Sequence, residues 1–131
     1  MAQLAGYNTH IAQAVVSAGS ATSGTSTYTL LKAPYGGLTV KTATIHAVGS
    51  VAANGSNYVT LNLLDGGAAG TATTSIGTAG GTVGIADGPV AMTISTNNLD
   101  AGDYLMFKVG KVGSITEREF AVVVEWVKGQ G

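Results

Sequence analysis

The chain has 131 residues, 45% hydrophobic, 6% aromatic and 10% charged, with 20 glycines, 2 prolines and no cysteine. An ordinary domain carries about 25% charged residues; here the net charge is −1 and the six basic residues are scattered, which argues against nucleic acid as a partner because phosphate binding needs clustered lysine and arginine. Without cysteine there is no disulfide framework and no thiolate metal site, and no window approaches the roughly 18 apolar residues that would span a membrane.

The length suits one domain with a sizeable core. The opening run MAQLAGYNTH lacks the basic region and apolar stretch of a signal peptide, so the chain is expected to be made in the cytosol and to be soluble there. Residues 1–11, with Leu4 and Tyr7, are too irregular for an element of their own. They read as a frayed terminus or as an arm that docks on a neighbouring subunit, leaving residues 12–131 as the domain.

A first short strand is predicted over 11–16, then a small-residue loop over 17–26 (SAGSATSGTS). Residues 27–33 (TYTLLKA) form a strand that stops at Pro34, and Pro-Tyr-Gly-Gly at 34–37 is a turn with a glycine wherever positive φ is needed. The next strand, 38–48, changes parity midway. Leu38 and Val40 share one face and Ala43, Ile45 and Ala47 the other, which predicts a bulge or a strand passing between two sheets; His46 falls with the polar residues.

After a loop containing Asn54-Gly55, residues 57–64 (NYVTLNLL) place Val59, Leu61 and Leu63 inward, and Asp65-Gly66-Gly67 closes the strand. The Gly/Thr/Ala-rich stretch 68–88 is weakly specified, and 71–76 is expected to pair with 82–86 as a hairpin across 77–81. Residues 90–94 (VAMTI) alternate as one strand. Two strands follow: Leu105, Phe107 and Val109 share a face in the first, and Phe120, Val122, Val124 and Trp126 in the second. A glycine-containing loop over 110–118 predicts that these two form a hairpin.

About eight to ten short strands, separated by glycine-rich turns and with no 3.6-residue periodicity, predict an all-β antiparallel β-sandwich of jelly-roll or Greek-key type, with a closed barrel as the alternative. On the last strand Ala121, Val123 and Val127 face outward where a solvated strand would carry charge. Such a row signals a second covering layer or a subunit interface, so a homo-oligomer or docked subunit is expected.

No constellation of catalytic residues emerges. Four of the seven carboxylates sit in or beside glycine turns, where aspartate caps its own turn. Asp100 and Asp103 are considered as calcium ligands, but the EF-hand spacing is absent. His10 and His46 are the only imidazoles and are not in HExxH spacing, no serine lies in GxSxG, and the glycines of 66–88 contain no GxxxxGK[ST]. A glycosidase cleft would need paired acids among aromatics that are scarce here. No catalytic residue, cofactor or metal is assigned, and no enzymatic activity is expected.

The runs KAPYGGLTVKTATIHAV (32–48), GSNYVTLNLLDGG (55–67), NLDAGDYLMFKV (98–109) and EFAVVVEWVKG (119–129) resemble those of small virion proteins of tailed bacteriophages, more specifically head decoration (cement) or minor capsid proteins. The resemblance covers most of the chain from residue 27 and is one of pattern rather than of a diagnostic motif. It implies a β-sandwich that binds the major capsid protein on the capsid exterior at a symmetry axis and stabilises it. It further implies a homo-oligomer, with a trimer favoured, assembled in the host cytoplasm, whose N-terminal arm reaches neighbouring subunits. The interface residues expected are Leu4, Tyr7 and Ile11 of that arm, Tyr35, and the outward Ala121, Val123 and Val127. The rival reading is a phage tail-fibre receptor-binding or carbohydrate-binding module on the same sandwich, for which Tyr7, Tyr28, Tyr35 and Tyr58 are the candidate aromatics.

Overall fold

Alternate residues of the long strands are apolar, and the fold turns that alternation into two antiparallel sheets whose apolar faces meet. The structure, a computed structural model, describes residues 9–17, 24–47, 55–71, 74–80, 85, 88–95, 97–113 and 119–129. The strands are β1 (Thr9–Ser17), β2 (Gly24–Lys32), β3 (Leu38–Ala47), β4 (Tyr58–Asp65), β5 (Thr74–Gly80), β6 (Gly88–Ala91), β7 (Thr93–Ile94), β8 (Asn98–Leu99), β9 (Tyr104–Val112) and β10 (Glu119–Lys128). One sheet runs β1-β10-β3-β6, with β8 also on β3; the other runs β2-β9-β4-β5-β7. The expected antiparallel β-sandwich is therefore what the chain forms.

The core is made by the residues that the alternation singles out. Val59, Leu61 and Leu63 of β4 and Leu105, Phe107 and Val109 of β9 face Ala43, Ile45 and Ala47 of β3 and Phe120, Val122 and Val124 of β10, all buried. Each large side chain among them contributes about 1.5–3 kcal/mol by leaving water. The parity change in β3 is a bulge, because the pairing with β10 shifts register between Glu125 and Trp126 and leaves Lys41 as the extra residue. That shift lets Leu38 and Val40 reach the same core as Ala43 and Ile45 although their spacing is out of phase. The end of β10 is pinned where Gly129 N–H donates to the Gly37 carbonyl at 2.8 Å and Thr39 Oγ1 lies 2.7 Å from the Gly129 carbonyl.

Three expectations are corrected. The strands over 104–109 and 119–128 are not a hairpin: β9 pairs with β2 and β4, while β10 pairs with β1 and β3 in the opposite sheet. Each has a largely apolar face, and each becomes a central strand of its own sheet, which buries both faces against one another. β9 also runs on to Val112, and Lys111 keeps the inward parity of Val109, only 4% exposed.

Gly77 to Gly80, expected as a turn, lie inside β5 and pair with Thr60 to Leu63 of β4. Gly77 is needed there, because a β-carbon would come within 2.9 Å of Ile94 Cδ1 and 3.0 Å of the Thr93 carbonyl oxygen. Of the predicted return strand 82–86, only Ile85 is among the described residues, and it is buried. Finally, 90–94 is not one strand. The chain changes sheets at Met92: β6 pairs with β3 and β7 with β5. Val90, Met92 and Ile94 still face the interior, as the alternation requires.

Candidate interaction surface

The outer face of the first sheet collects most of the residues proposed for contact. Along β1 the outward residues are Ile11, Gln13 and Val15, and their partners on β10 are Glu125, Val123 and Ala121. On the far side of β10, Val123 faces Thr44 and Ala121 faces His46 of β3. Ile11 is 61% exposed and Val15 66%, whereas Ala121, Val123 and Val127 are half-buried by their neighbours in the sheet. Among the described residues there are two sheets and no third layer over this face. Two carboxylates among the described residues share this face: Glu119, opposite Ser17 at the start of β10, and Glu125, which accepts a hydrogen bond from the Thr42 hydroxyl at 2.6 Å.

The structure therefore brings Ile11, Ala121, Val123 and Val127 together. Val15 belongs with them and was missed by sequence reasoning; it shares the parity of Ile11 along the same strand, which is the signal that could have found it. Leu4 and Tyr7 lie outside the described residues. Residues 9–11, the end of the expected arm, are already paired in β1, with Thr9 opposite Val127.

Tyr35 sits apart, at one end of the sandwich, on the tip of the turn between β2 and β3. The Gly37 N–H closes this turn on the Pro34 carbonyl at 2.8 Å, with φ of 88° at Gly36 and 79° at Gly37, the two positions that read as glycine turn residues. The ring is 91% exposed. Tyr28 and Tyr58 are half-buried along their strands, and Tyr28 packs against the core. Of the candidate aromatics among the described residues, Tyr28, Tyr35 and Tyr58 thus do not converge on one end as a sugar platform would need.

Nor do the described residues hold a group of three or more His, Cys, Asp or Glu side chains able to bind a metal. Asp100 and Asp103 bracket a tight turn, where the Asp103 N–H donates to the Asp100 carbonyl at 3.0 Å and Gly102 has a φ of 87°. Asp65 caps its own turn by accepting the Gly67 N–H at 2.9 Å.

The Asp103 carboxyl is held above the ordinary carboxylate range by partial desolvation, then by the charges of Asp65 and Asp100 and a hydrogen bond with Asp65; a hydrogen bond from the Asp100 backbone works the other way. The folded state thus takes up this proton more readily than the unfolded chain. Ionising Asp103 weakens the fold at neutral pH, and that penalty fades as the pH falls through the folded value towards the ordinary one. Asp103→Asn is expected to raise the melting temperature at pH 7 by a small amount, under about 1 kcal/mol for so accessible a group, and to leave it unchanged near pH 3. Thermal melts at the two pH values check this, and a variant less stable at pH 7 would reverse the sign.

At the same end His10 stacks on Trp126, with ring centroids 4.5 Å apart and planes inclined by 24°. Trp126 is half-buried against the core, and its indole Nε1 is buried with no hydrogen-bond acceptor among the described residues. Trp126 is therefore a packing residue. His46, on the polar parity of β3, is exposed as its sequence position indicated.

Among solved structures, the chain is similar in fold to a chain of the cyanophage Pam1 capsid asymmetric unit, with a TM-score of 0.63 and 20% sequence identity, covering 98% of this chain and 91% of that one. No protein-family model matches the sequence, and no curated protein matches it.

Proposed function

We propose that this chain is a structural virion protein that binds the outside of a tailed-bacteriophage capsid and stabilises it, a decoration or cement protein with no catalytic step. The observation that carries the reading is the outer face of the β1-β10-β3-β6 sheet. There Ile11, Val15, Ala121, Val123 and Val127 form an apolar surface, with Glu125 already engaged by Thr42 and Glu119 at the end of β10. An apolar patch with polar neighbours is what a protein contact site requires. Repetition by capsid symmetry makes modest contacts sufficient, because binding to one site raises the effective concentration at the next.

The fold likeness to a capsid chain across nearly the whole length supports the same reading. The packing of β1, β10, β3 and β6 against β2, β9, β4 and β5 as a two-sheet sandwich, which we read as a jelly roll, is compatible with it. In this reading the partners are the major capsid protein and further copies of the chain, with a trimer favoured, and residues 1–8, which precede β1, are the arm reaching to a neighbour.

The test is binding to purified phage heads lacking the protein. The intact chain is expected to co-sediment with heads and to raise their melting temperature. Val123→Asp puts a charge at the centre of the apolar face without touching the core, and is expected to weaken head binding at least tenfold while the protein keeps its own melting transition. Full binding by Val123→Asp would remove this face from the interface. No binding by the intact chain, together with micromolar binding on a glycan array, would favour the receptor-binding or carbohydrate-binding alternative.

A further inference from the structure

The exposed edges of the two sheets are not alike. β6 is four residues long and contains Pro89, while β7 and β8 are two residues each. β2 is long, but its pairing is broken by a register shift between Thr29 and Leu31, and it ends in Lys32. Short strands, proline, bulges and lysine are the devices that keep sheet edges from pairing with other chains. β1 has none of them. It runs nine residues in unbroken register with β10, carries no lysine, arginine, aspartate, glutamate or proline, and is at the end of its sheet among the described residues. Its outward side chains include the two most exposed large aliphatic side chains among the described residues, Ile11 and Val15.

We propose that β1 is a self-association edge on which two copies of this chain pair β1 against β1, antiparallel, about a two-fold axis at Gln13. The strand THIAQAVVS is complementary to itself in this register. All nine residues pair, Ile11 of one copy falls opposite Val15 of the other on the outer face, and Ala12 falls opposite Ala14 on the inner face. No formal charge meets a like charge. A slip by one residue would set the inner face of one strand against the outer face of its partner, so the alternation itself selects the register. Because the contact is isologous, it closes as a pair and does not propagate into a fibre. It joins the two β1-β10-β3-β6 sheets into one and makes the two apolar outer faces continuous. The contact is independent of the capsid reading because it is measured on purified protein.

The absence of native cysteine makes the test direct. In an antiparallel pair, opposed Cα atoms are about 4.5–5.5 Å apart, within the span that a disulfide bridges. Gln13→Cys in the full chain is therefore expected to give a disulfide-linked dimer under mild oxidation, reversed by reductant. Val15→Cys, whose two copies are offset along the strand, is expected to stay monomeric on denaturing gels. Light scattering reads the same contact without a crosslink: Ile11→Lys with Val15→Lys is expected to weaken the pair at least tenfold, and Ile11→Lys with Val15→Glu to restore it. Melting curves confirm that each variant is folded. Failure of folded Gln13→Cys to crosslink at any concentration, or equal crosslinking by Val15→Cys, overturns the proposal. So does crosslinking that appears only after residues 1–8 are deleted, which would make that segment the occupant of the edge.

Discussion

Truncating Phe107 to alanine is expected to lower the unfolding free energy by about 3–5 kcal/mol, the range for an aromatic ring removed from a packed core. The ring is completely buried at the middle of β9, with Tyr28 of β2 opposite on one side and Leu63 of β4 on the other. Both neighbouring strands are held in a sheet, so the backbone cannot collapse into the space, and the cavity term adds to the lost burial. Domains of this kind have only about 5–15 kcal/mol in total, so the variant should unfold well below the parent's midpoint in urea. Trp126, the single tryptophan, provides the fluorescence signal. Val112→Ala, on the same strand but 40% exposed, is the control and should stay within about 0.5 kcal/mol. A loss below about 1 kcal/mol for Phe107→Ala would show that the two sheets are not packed around this ring.

Gly113→Ala is expected to cost roughly 2–5 kcal/mol, the sum of two independent penalties. Gly113 has a φ of 72°, and an L-residue in that left-handed region costs about 1–2 kcal/mol. A β-carbon there would also run into the Ser56 carbonyl oxygen and the Asn57 side chain, and overpacking of this kind typically adds about 1–3 kcal/mol. The position matters because Gly113 follows the last residue of β9 and begins the connection to β10 in the opposite sheet. Gly36→Ala separates the two terms. Gly36 has a φ of 88° but nothing within 4 Å of its would-be β-carbon, so only the conformational cost should appear. Equal losses at both positions in denaturant titrations would mean that the crowding at Gly113 relaxes at no cost.

Where a residue points was legible from sequence, and which strand it pairs with was not. Leu61, Phe107, Val122 and Ile45 were readable as core because their neighbours in sequence alternate with them, and all are buried. The bulge in β3 was readable because a parity change within one strand has few structural solutions. The pairing of β9 and β10 was misread because a glycine-bearing connection between two good strands has the signature of a hairpin whether the chain returns in the same sheet or crosses to the other. The glycines of β5 misled for a related reason. Glycine marks turns, but it also marks places where another chain segment comes close, as Thr93 and Ile94 do at Gly77.

The interaction surface divides in the same way. The apolar outward row on β10 could be seen in EFAVVVEWVK, but its continuation through Val15 on β1 needed the pairing of two strands about a hundred residues apart in the chain. Side-chain alternation is a local property with a period of two, and every strand carries it in its own residues. Backbone hydrogen-bonding groups are the same at every residue, so a ladder carries almost no label naming its partner. The partner is settled only when all the apolar faces must be buried at once. Sequence alone therefore determined the all-β class, the inward residues and the outward apolar residues of β10. The tertiary structure decided which strands became central, that β9 and β10 went to opposite sheets, and that β1 ends its sheet among the described residues.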